Sequence, residues 1–397
     1  MATPKLLTAK QACAQLGVKP ATLYTYVSRG LIRGVEGEAP RQRRYLAEDV
    51  ARVRTRAEAR RGHRAVAAGA LRFGDPVLDT AICAAGPVHL AYRGRDVVAL
   101  VEAGTPFEAV AALLWAAPDP GPWTWPQASL LARQPPGVPE LWRFARLVPK
   151  LAEADPARGQ HGFGADPERA RRLIRAFAAS VGPTPGAAPR PRSIAETLAS
   201  RLGVPARAIP ALDAALVLVA EHELNVSTFA ARVAASGGAD LYAAVGAALY
   251  AFSGPRHGGM PSRVDGLVEE LGRPARVKAA LLARLERGET VPGFGHPMYP
   301  GGDPRTAPLV RWAERLATRR QEKLRTLLAM AEVMEGLGPH GMTVDGGLLA
   351  LAYALGFPPA SASGLFAVGR VAGWAAHVFE QRQTGALLRP RARYVGP

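Results

Sequence analysis

The 397-residue sequence predicts an all-α protein preceded by a small basic module. Three observations carry that reading. From Leu71 onward, apolar residues recur at spacings of three and four, the period of a helix with one buried face, and strand-like alternation is confined to Ala81–Tyr92. Proline and glycine fall between the periodic runs, where helices stop and loops begin. The third is charge: residues 1–64 carry +9 of the net +17, so over half of the basic excess lies in the first sixth of the chain.

Composition sets outer bounds. The length suits two or three domains, and 48% apolar residues support a sizeable core. Arginine outnumbers lysine 44 to 6, a ratio that GC-rich coding alone produces, so the charge by itself does not identify a partner. Cys13 and Cys83 are too few for a disulfide scaffold or a four-cysteine metal site. The opening MATPKLLTAKQACAQL has no apolar signal-peptide core. The uncharged stretch from Gly346 to Gly369 is broken by Pro358 and Pro359, and reads as two buried helices around a turn rather than a membrane span. These features predict a soluble cytoplasmic protein with no membrane partner.

In the amino-terminal module, Thr8 caps a helix running to Leu16, and Gly17 stops it. Val18-Lys19-Pro20 opens a second helix, Ala21 to Arg29, ended by Gly30. Leu31-Ile32-Arg33 and Arg43-Arg44-Tyr45 read as the two strands of a small wing with its tip at 34–41, and Glu48-Asp49-Val50 starts a further helix. The segment TAKQACAQLGVKPATLYTYVSRGLI…RRYLAEDV resembles the winged helix-turn-helix of MerR-type regulators and excisionases over about 50 residues. The resemblance implies that the second helix enters the DNA major groove while the wing meets the backbone. Thr22, Tyr24, Thr25, Arg29, Arg41, Arg43 and Arg44 are the candidate DNA-binding residues. Two other readings stand beside it: a module that only packs subunits together, and a solvated linker helix over Arg52–Arg64.

Helices are expected over Phe107–Ala117, Ala170–Ala179, Ala211–Glu221, Ala239–Phe252, Arg276–Arg287 and Ala307–Leu337. The proline-rich runs PDPGPWTWP and VGPTPGAAPRPR read as surface loops. Three histidine segments are chemically richer than their surroundings: HELNVSTF from His222, GPRHGGM around His257, and GFGHPMYPGGDPR around His296. Glycines beside His257 and His296 allow backbone or ligand to approach closely. There is no short His-x-x-x-His spacing and no nearby cysteine, so no metal is expected.

In this order, these segments resemble the citrate synthase family from about Leu71 to Pro397, together with DTAICAAGPVHLAYRGRDVVAL, TPFEAVAALLW, VAGWAAHVFEQ and LLRPRARYVGP. The resemblance implies large and small helical domains, with residues 65–258 and 352–397 in the large one and 259–351 in the small one, after the 1–64 module. It implies condensation of acetyl-CoA with oxaloacetate to citrate and CoA. Propionyl-CoA, giving 2-methylcitrate, is the alternative donor, since one methylene changes binding by only about 1–3 kcal/mol. By motif, Asp345 matches the base that takes the thioester's α-proton, His257 the group that stabilises the enol, and His296 the group that polarises the ketone. A thioester α-proton is too weakly acidic for a carboxylate alone, so the developing oxyanion must be stabilised at the same time.

Two substrate carboxylates call for guanidinium partners, and Arg305, Arg370 and Arg389 match the family's arginines, with His222 its further substrate-binding histidine. The turn Val291, Pro292, Gly293, Phe294 and Gly295 matches the family's contact with coenzyme A. The thioester is a co-substrate, and no permanently bound cofactor is implied. Arg389 reaching into a partner's site implies a homodimer or a higher even oligomer. Asp303 reads as a loop or cap residue, Asp345 taken alone as a helix N-cap, and Arg391 and Arg393 as tail charges. Pro297, Met260 and Gly346-Gly347 depart from the family pattern beside these residues. A second class of function is a sensor of the same ligands that biases a DNA-binding dimer.

Overall fold

The computed structural model describes residues 6–28, 31–36, 43–51, 53, 78–118, 123, 138–161, 165–182, 193–318, 321–338, 340–390 and 394. They divide into two units, an amino-terminal one and one spanning Thr80–Pro390.

The amino-terminal unit contains β1 (Leu6–Thr8), α1 (Ala9–Leu16), α2 (Pro20–Ser28), β2 (Gly34–Glu36) and β3 (Arg43–Leu46). Thr8 and Gln11 form a reciprocal capping box at the start of α1, and Gly17 closes it in the left-handed region at φ 65°. β3 is the central strand, antiparallel to β1 (Leu7 opposite Tyr45) and to β2 (Val35 opposite Arg44). The first wing strand is therefore Gly34–Glu36 and not 31–33. Ile32 is drawn into the module's core with Leu7, Ala12, Leu23, Tyr45 and Val50. The Arg33 N–H is used by Asp49 Oδ2 at 2.9 Å, and its Nε donates to the same oxygen at 2.8 Å, so this stretch clamps the next helix instead of laddering. Arg29, Arg41 and the arginines of the expected linker helix lie outside the described residues.

The second unit opens with an antiparallel sheet, β4 (Cys83–Gly86), β5 (His89–Tyr92) and β6 (Arg95–Asp96). Its helices are α3 (Val97–Glu102), α4 (Phe107–Trp115), α5 (Glu140–Glu153), α6 (Ala165–Ser180), α7 (Ile194–Leu202), α8 (Ile209–Val219) and α9 (Val226–Ser236). They continue with α10 (Leu241–Phe252), α11 (Met260–Leu271), α12 (Pro274–Glu286), α13 (Thr306–Leu316), α14 (Glu322–Gly336), α15 (Val344–Leu355) and α16 (Ala360–Thr384). The chain is thus mainly helical, as its periodicity predicts. The apolar helix α16 is buried along most of its length and packs against α4, α6, α8, α9 and α10, which makes it the axis of the unit. The uncharged stretch is indeed a helix pair, α15 and α16, around Pro358 and Pro359, and no described helix is long and apolar enough to cross a membrane.

Three expectations change. The single helix over Ala307–Leu337 is two, because Ala317 turns extended at ψ 144° and Gln321 Nε2 donates to Ala354 O at 2.7 Å. The helix expected to reach Glu221 stops at Val219, where the Tyr92 hydroxyl lies 3.0 Å from Val217 O and 3.3 Å from Leu218 O, within reach of carbonyls at the helix end. Trp123, in the run read as a surface loop, is buried and stacks on Trp115 with ring centroids 5.9 Å apart, since its indole has more to gain from apolar contact than from water.

Candidate active site

The turn after α8 is pressed against α16 where that helix carries glycines. Gly373 N donates to Ala220 O at 3.0 Å, and a Cβ added at Gly373 would stand 2.4 Å from that oxygen and 2.0 Å from Glu221 Oε2. The buried Glu221 side chain pairs with His377 at 3.0 Å. This contact brings Arg370, three residues before Gly373, to Val219 O, to which its Nε donates at 2.7 Å. It also sets His222 with its Nε2 2.8 Å from the Tyr299 hydroxyl.

The opposite side comes from 291–305 and 341–345. Val291, Pro292 and Gly293 are buried, Phe294 is half-buried and Gly295 exposed. Gly293 O accepts from Thr343 N at 2.9 Å and Gly295 N donates to Gly341 O at 3.1 Å, so the turn is held by the stretch leading into α15. His296 lies edge-on to His222 with centroids 5.6 Å apart. Its Nδ1 accepts from Met298 N at 3.2 Å, which leaves the proton of the neutral ring on Nε2. Arg305 is buried and grips Asp303 through Nε at 2.9 Å and Nη2 at 2.6 Å; the loop residue Asp303 also accepts from Arg305 N and Val344 N, so it caps backbone as well as pairing with the guanidinium.

His257 is built on the first turn of α9. Its Nε2 lies 2.8 Å from Ser227 Oγ and 3.2 Å from Asn225 Oδ1, while Trp374 Nε1 donates to Ser227 Oγ at 3.0 Å. Asn225 is the N-cap of α9 and accepts from Thr228 N. Asn225, Ser227, Trp374 and Tyr299 are not among the residues that sequence reading selects. For Asn225 and Ser227 the signal is the N-x-S pattern at a helix start, three residues after His222, while Trp374 and Tyr299 lie inside quoted segments without being singled out. Asp345 sits in the first turn of α15 behind its N-cap Thr343, so it is not itself the cap. Its Oδ2 accepts from Thr343 Oγ1 at 3.2 Å.

The electrostatics divide these groups into acceptors, donors and fixed cations. Burial raises the Asp345 carboxyl to about 6, although Arg305 and the Thr343 hydroxyl pull it down. Burial and then Arg370 lower His257 to about 3. Burial, Arg305 and Arg370 hold His222 well below the usual imidazole range, and burial also lowers His296. All three rings are neutral at pH 7. Arg305 Nη1 and Arg370 Nη2 are buried with no hydrogen-bond partner among the described residues. Two unanswered guanidinium donors beside two histidines suit a ligand with two carboxylates.

Of the other candidates, Arg389 is exposed and makes no hydrogen bond or ion pair with this cluster among the described residues. In the amino-terminal unit Tyr24, Thr25 and Arg43 are exposed, while Thr22 and Arg44 are half-buried. Among the described residues no group of His, Cys, Asp or Glu could hold a metal ion.

A family model described as "Citrate synthase, C-terminal domain" matches residues 73–391. The chain belongs to the citrate synthase family. A second model, "Helix-turn-helix domain", matches residues 6–57. The citrate synthase region is similar to citrate synthase 2 of Bacillus subtilis, 35% identical over 191 residues, which is 48% of this chain and 51% of the relative. It is also similar to 2-methylcitrate synthase of Shewanella oneidensis, 36% identical over 187 residues, 47% of this chain and 50% of the relative. The chain therefore spans about half the length of the curated relatives it matches. Among solved structures, citrate synthase from Thermotoga maritima aligns with a TM-score of 0.69 and 28% identity, covering 82% of this chain and 94% of that one.

Proposed function

We propose that the protein condenses an acyl-CoA with oxaloacetate, in the first place acetyl-CoA to give citrate and free CoA. The pair of buried guanidiniums, Arg305 and Arg370, each with one donor unanswered, carries this reading, because a C4 oxo diacid answers both. His222 and His296 stand beside them, and the neutral Nε2–H of His296 can polarise the ketone. The Asp345 carboxylate takes the α-proton while His257 donates to the thioester oxygen. Ser227 Oγ donates to Asn225 Oδ1 at 2.7 Å; only if that hydroxyl turns its proton to His257 Nε2 instead does the ring carry Nδ1–H for that bond. The carbanion-like carbon then attacks the ketone, and water cleaves the thioester to release CoA.

Propionyl-CoA, giving 2-methylcitrate, is the competing donor, and relatives of both names are similar to this chain. His222, His257 and Arg370 come from the range assigned to a large domain, and His296, Arg305 and Asp345 from that of a small one. This supports closure of 259–351 over the substrate, with turns 254–259 and 293–295 as joints and Val291–Gly295 against CoA. Arg389 is assigned to the site of a partner subunit in a homodimer, which accounts for its exposure here.

A thiol-release assay with each acyl-CoA and oxaloacetate tests the activity. Release with either supports it, and the faster donor identifies the acyl group. Folded protein that releases no thiol with either overturns it.

The exposed Tyr24, Thr25 and Arg43 of the helix-turn-helix unit favour a further proposal, that this unit binds DNA. Loss of a mobility shift as salt rises is the expected result, and no shift at low ionic strength removes the proposal.

A further inference from the structure

We propose that Tyr299 is a positioning residue that keeps the proton of His222 on Nδ1, so that this N–H faces the oxo acid. The Tyr299 side chain is fully buried and its hydroxyl lies 2.8 Å from His222 Nε2, with the two rings tilted at 59°. A phenol carries one proton, and a buried O–H requires an acceptor. Among the described residues the Tyr299 hydroxyl has no other hydrogen-bond partner, so it donates to Nε2. The neutral imidazole then holds its own proton on Nδ1, which has no protein partner among the described residues.

The protonation states agree with this direction. Burial raises the Tyr299 phenol, keeping it protonated, and burial with Arg305 and Arg370 keeps the His222 ring neutral. The arrangement also parallels His296, whose proton is placed by a backbone donor, Met298 N, at 3.2 Å. Two histidines in edge contact thus have their tautomers set from behind, one by the main chain and one by a phenol. A ring free to exchange tautomers would offer an acceptor to the substrate oxygen part of the time. Tyr299 therefore contributes to oxo-acid affinity without touching the oxo acid.

The placement of the proton stands on the geometry alone, whereas its use rests on the condensation reading above. Nitrogen-15 NMR of the full-length protein, labelled at histidine and assigned with His222→Asn, reads the tautomer directly. The expected spectrum shows a protonated Nδ1 and a bare Nε2 for His222, and a mixture in Tyr299→Phe. In the thiol-release assay, Tyr299→Phe is expected to raise the KM for oxaloacetate about three- to tenfold, the range of one neutral hydrogen bond. The acyl-CoA KM and the melting temperature should stay within error of the parent. A wild-type His222 protonated on Nε2, or a Phe variant with unchanged tautomer and unchanged oxaloacetate KM, overturns the proposal. If Tyr299→Phe fails to fold, the wild-type spectrum alone decides. A protein without thiol release would sink the condensation reading, while the NMR result would still decide this one.

Discussion

Among the described residues, Asp345 has one side-chain hydrogen bond, from Thr343 Oγ1, and burial raises its carboxyl to about 6. A base must be ionised to accept a proton, so kcat/KM should fall as pH drops through about 6 and level off above it. Neutral His257, with its value near 3, adds no second limb between pH 5 and 9. Asp345→Asn should lower kcat by about 10²–10⁴-fold and leave melting unimpaired, measured by thiol release and thermal denaturation. Arg370→Lys keeps the charge but loses the planar fork, including the bond to Val219 O. It should raise the oxaloacetate KM by at least about tenfold, with little change for acyl-CoA. These principal residues are legible in the sequence because glycine-flanked histidines and a DPR triplet are local patterns. Their supports are not. Trp374 reaches Ser227 across 147 positions and Tyr299 reaches His222 across 77, and no local pattern signals a partner at that separation.

Between α8 and α16 the fit depends on a helix surface with no side chain at 373. Gly373→Ala would put a methyl against Ala220 O and Glu221, and should destabilise the protein by about 1–3 kcal/mol, seen as a lower melting temperature. Oxaloacetate binding should weaken further, because the same turn carries Val219 and His222. The Gly346-Gly347 departure has a similar cause: a Cβ at Gly346 would stand 2.5 Å from Met342 Cγ, and one at Gly347 3.0 Å from Leu309 Cδ1. At the start of α4, Phe107 N donates to Asp213 Oδ1 at 3.2 Å, yet burial raises that carboxyl to about 7. The folded state therefore holds the proton more tightly than the unfolded chain. Stability from this group is present below the ordinary carboxylate range and is lost as pH rises toward 7. Asp213→Asn should melt a few degrees higher than the parent at pH 8 and no higher at pH 4, since an amide oxygen still accepts from Phe107 N. Helix limits followed the same division: Gly17 ended α1 as its sequence demands, whereas the α13–α14 break at Ala317 has no proline or glycine to announce it.

For the whole chain, the net +17 separates by place. Arg305 and Arg370 lie buried in the candidate site, where a dicarboxylate is the proposed counter-charge, and Arg169 and Arg232 are buried in ion pairs. The +9 of residues 1–64 belongs mostly to the helix-turn-helix region, where Arg33 is answered by Glu48 and Asp49 and Arg43 is exposed. Removing residues 1–64 should therefore abolish salt-sensitive DNA retention and leave thiol release within about twofold. Equal loss of both would assign the module to assembly of the subunits instead.

The sequence by itself determined the helical class and the amino-terminal helix-turn-helix and nominated the candidate chemical groups, because period, caps and glycine-flanked histidines are encoded within a few residues. The tertiary structure alone decided which partners face each ring nitrogen, which guanidinium donors stay unanswered among the described residues, and in which direction burial moves each carboxyl. Those depend on burial and on partners brought together from distant parts of the chain, where desolvation rather than local pattern sets the chemistry.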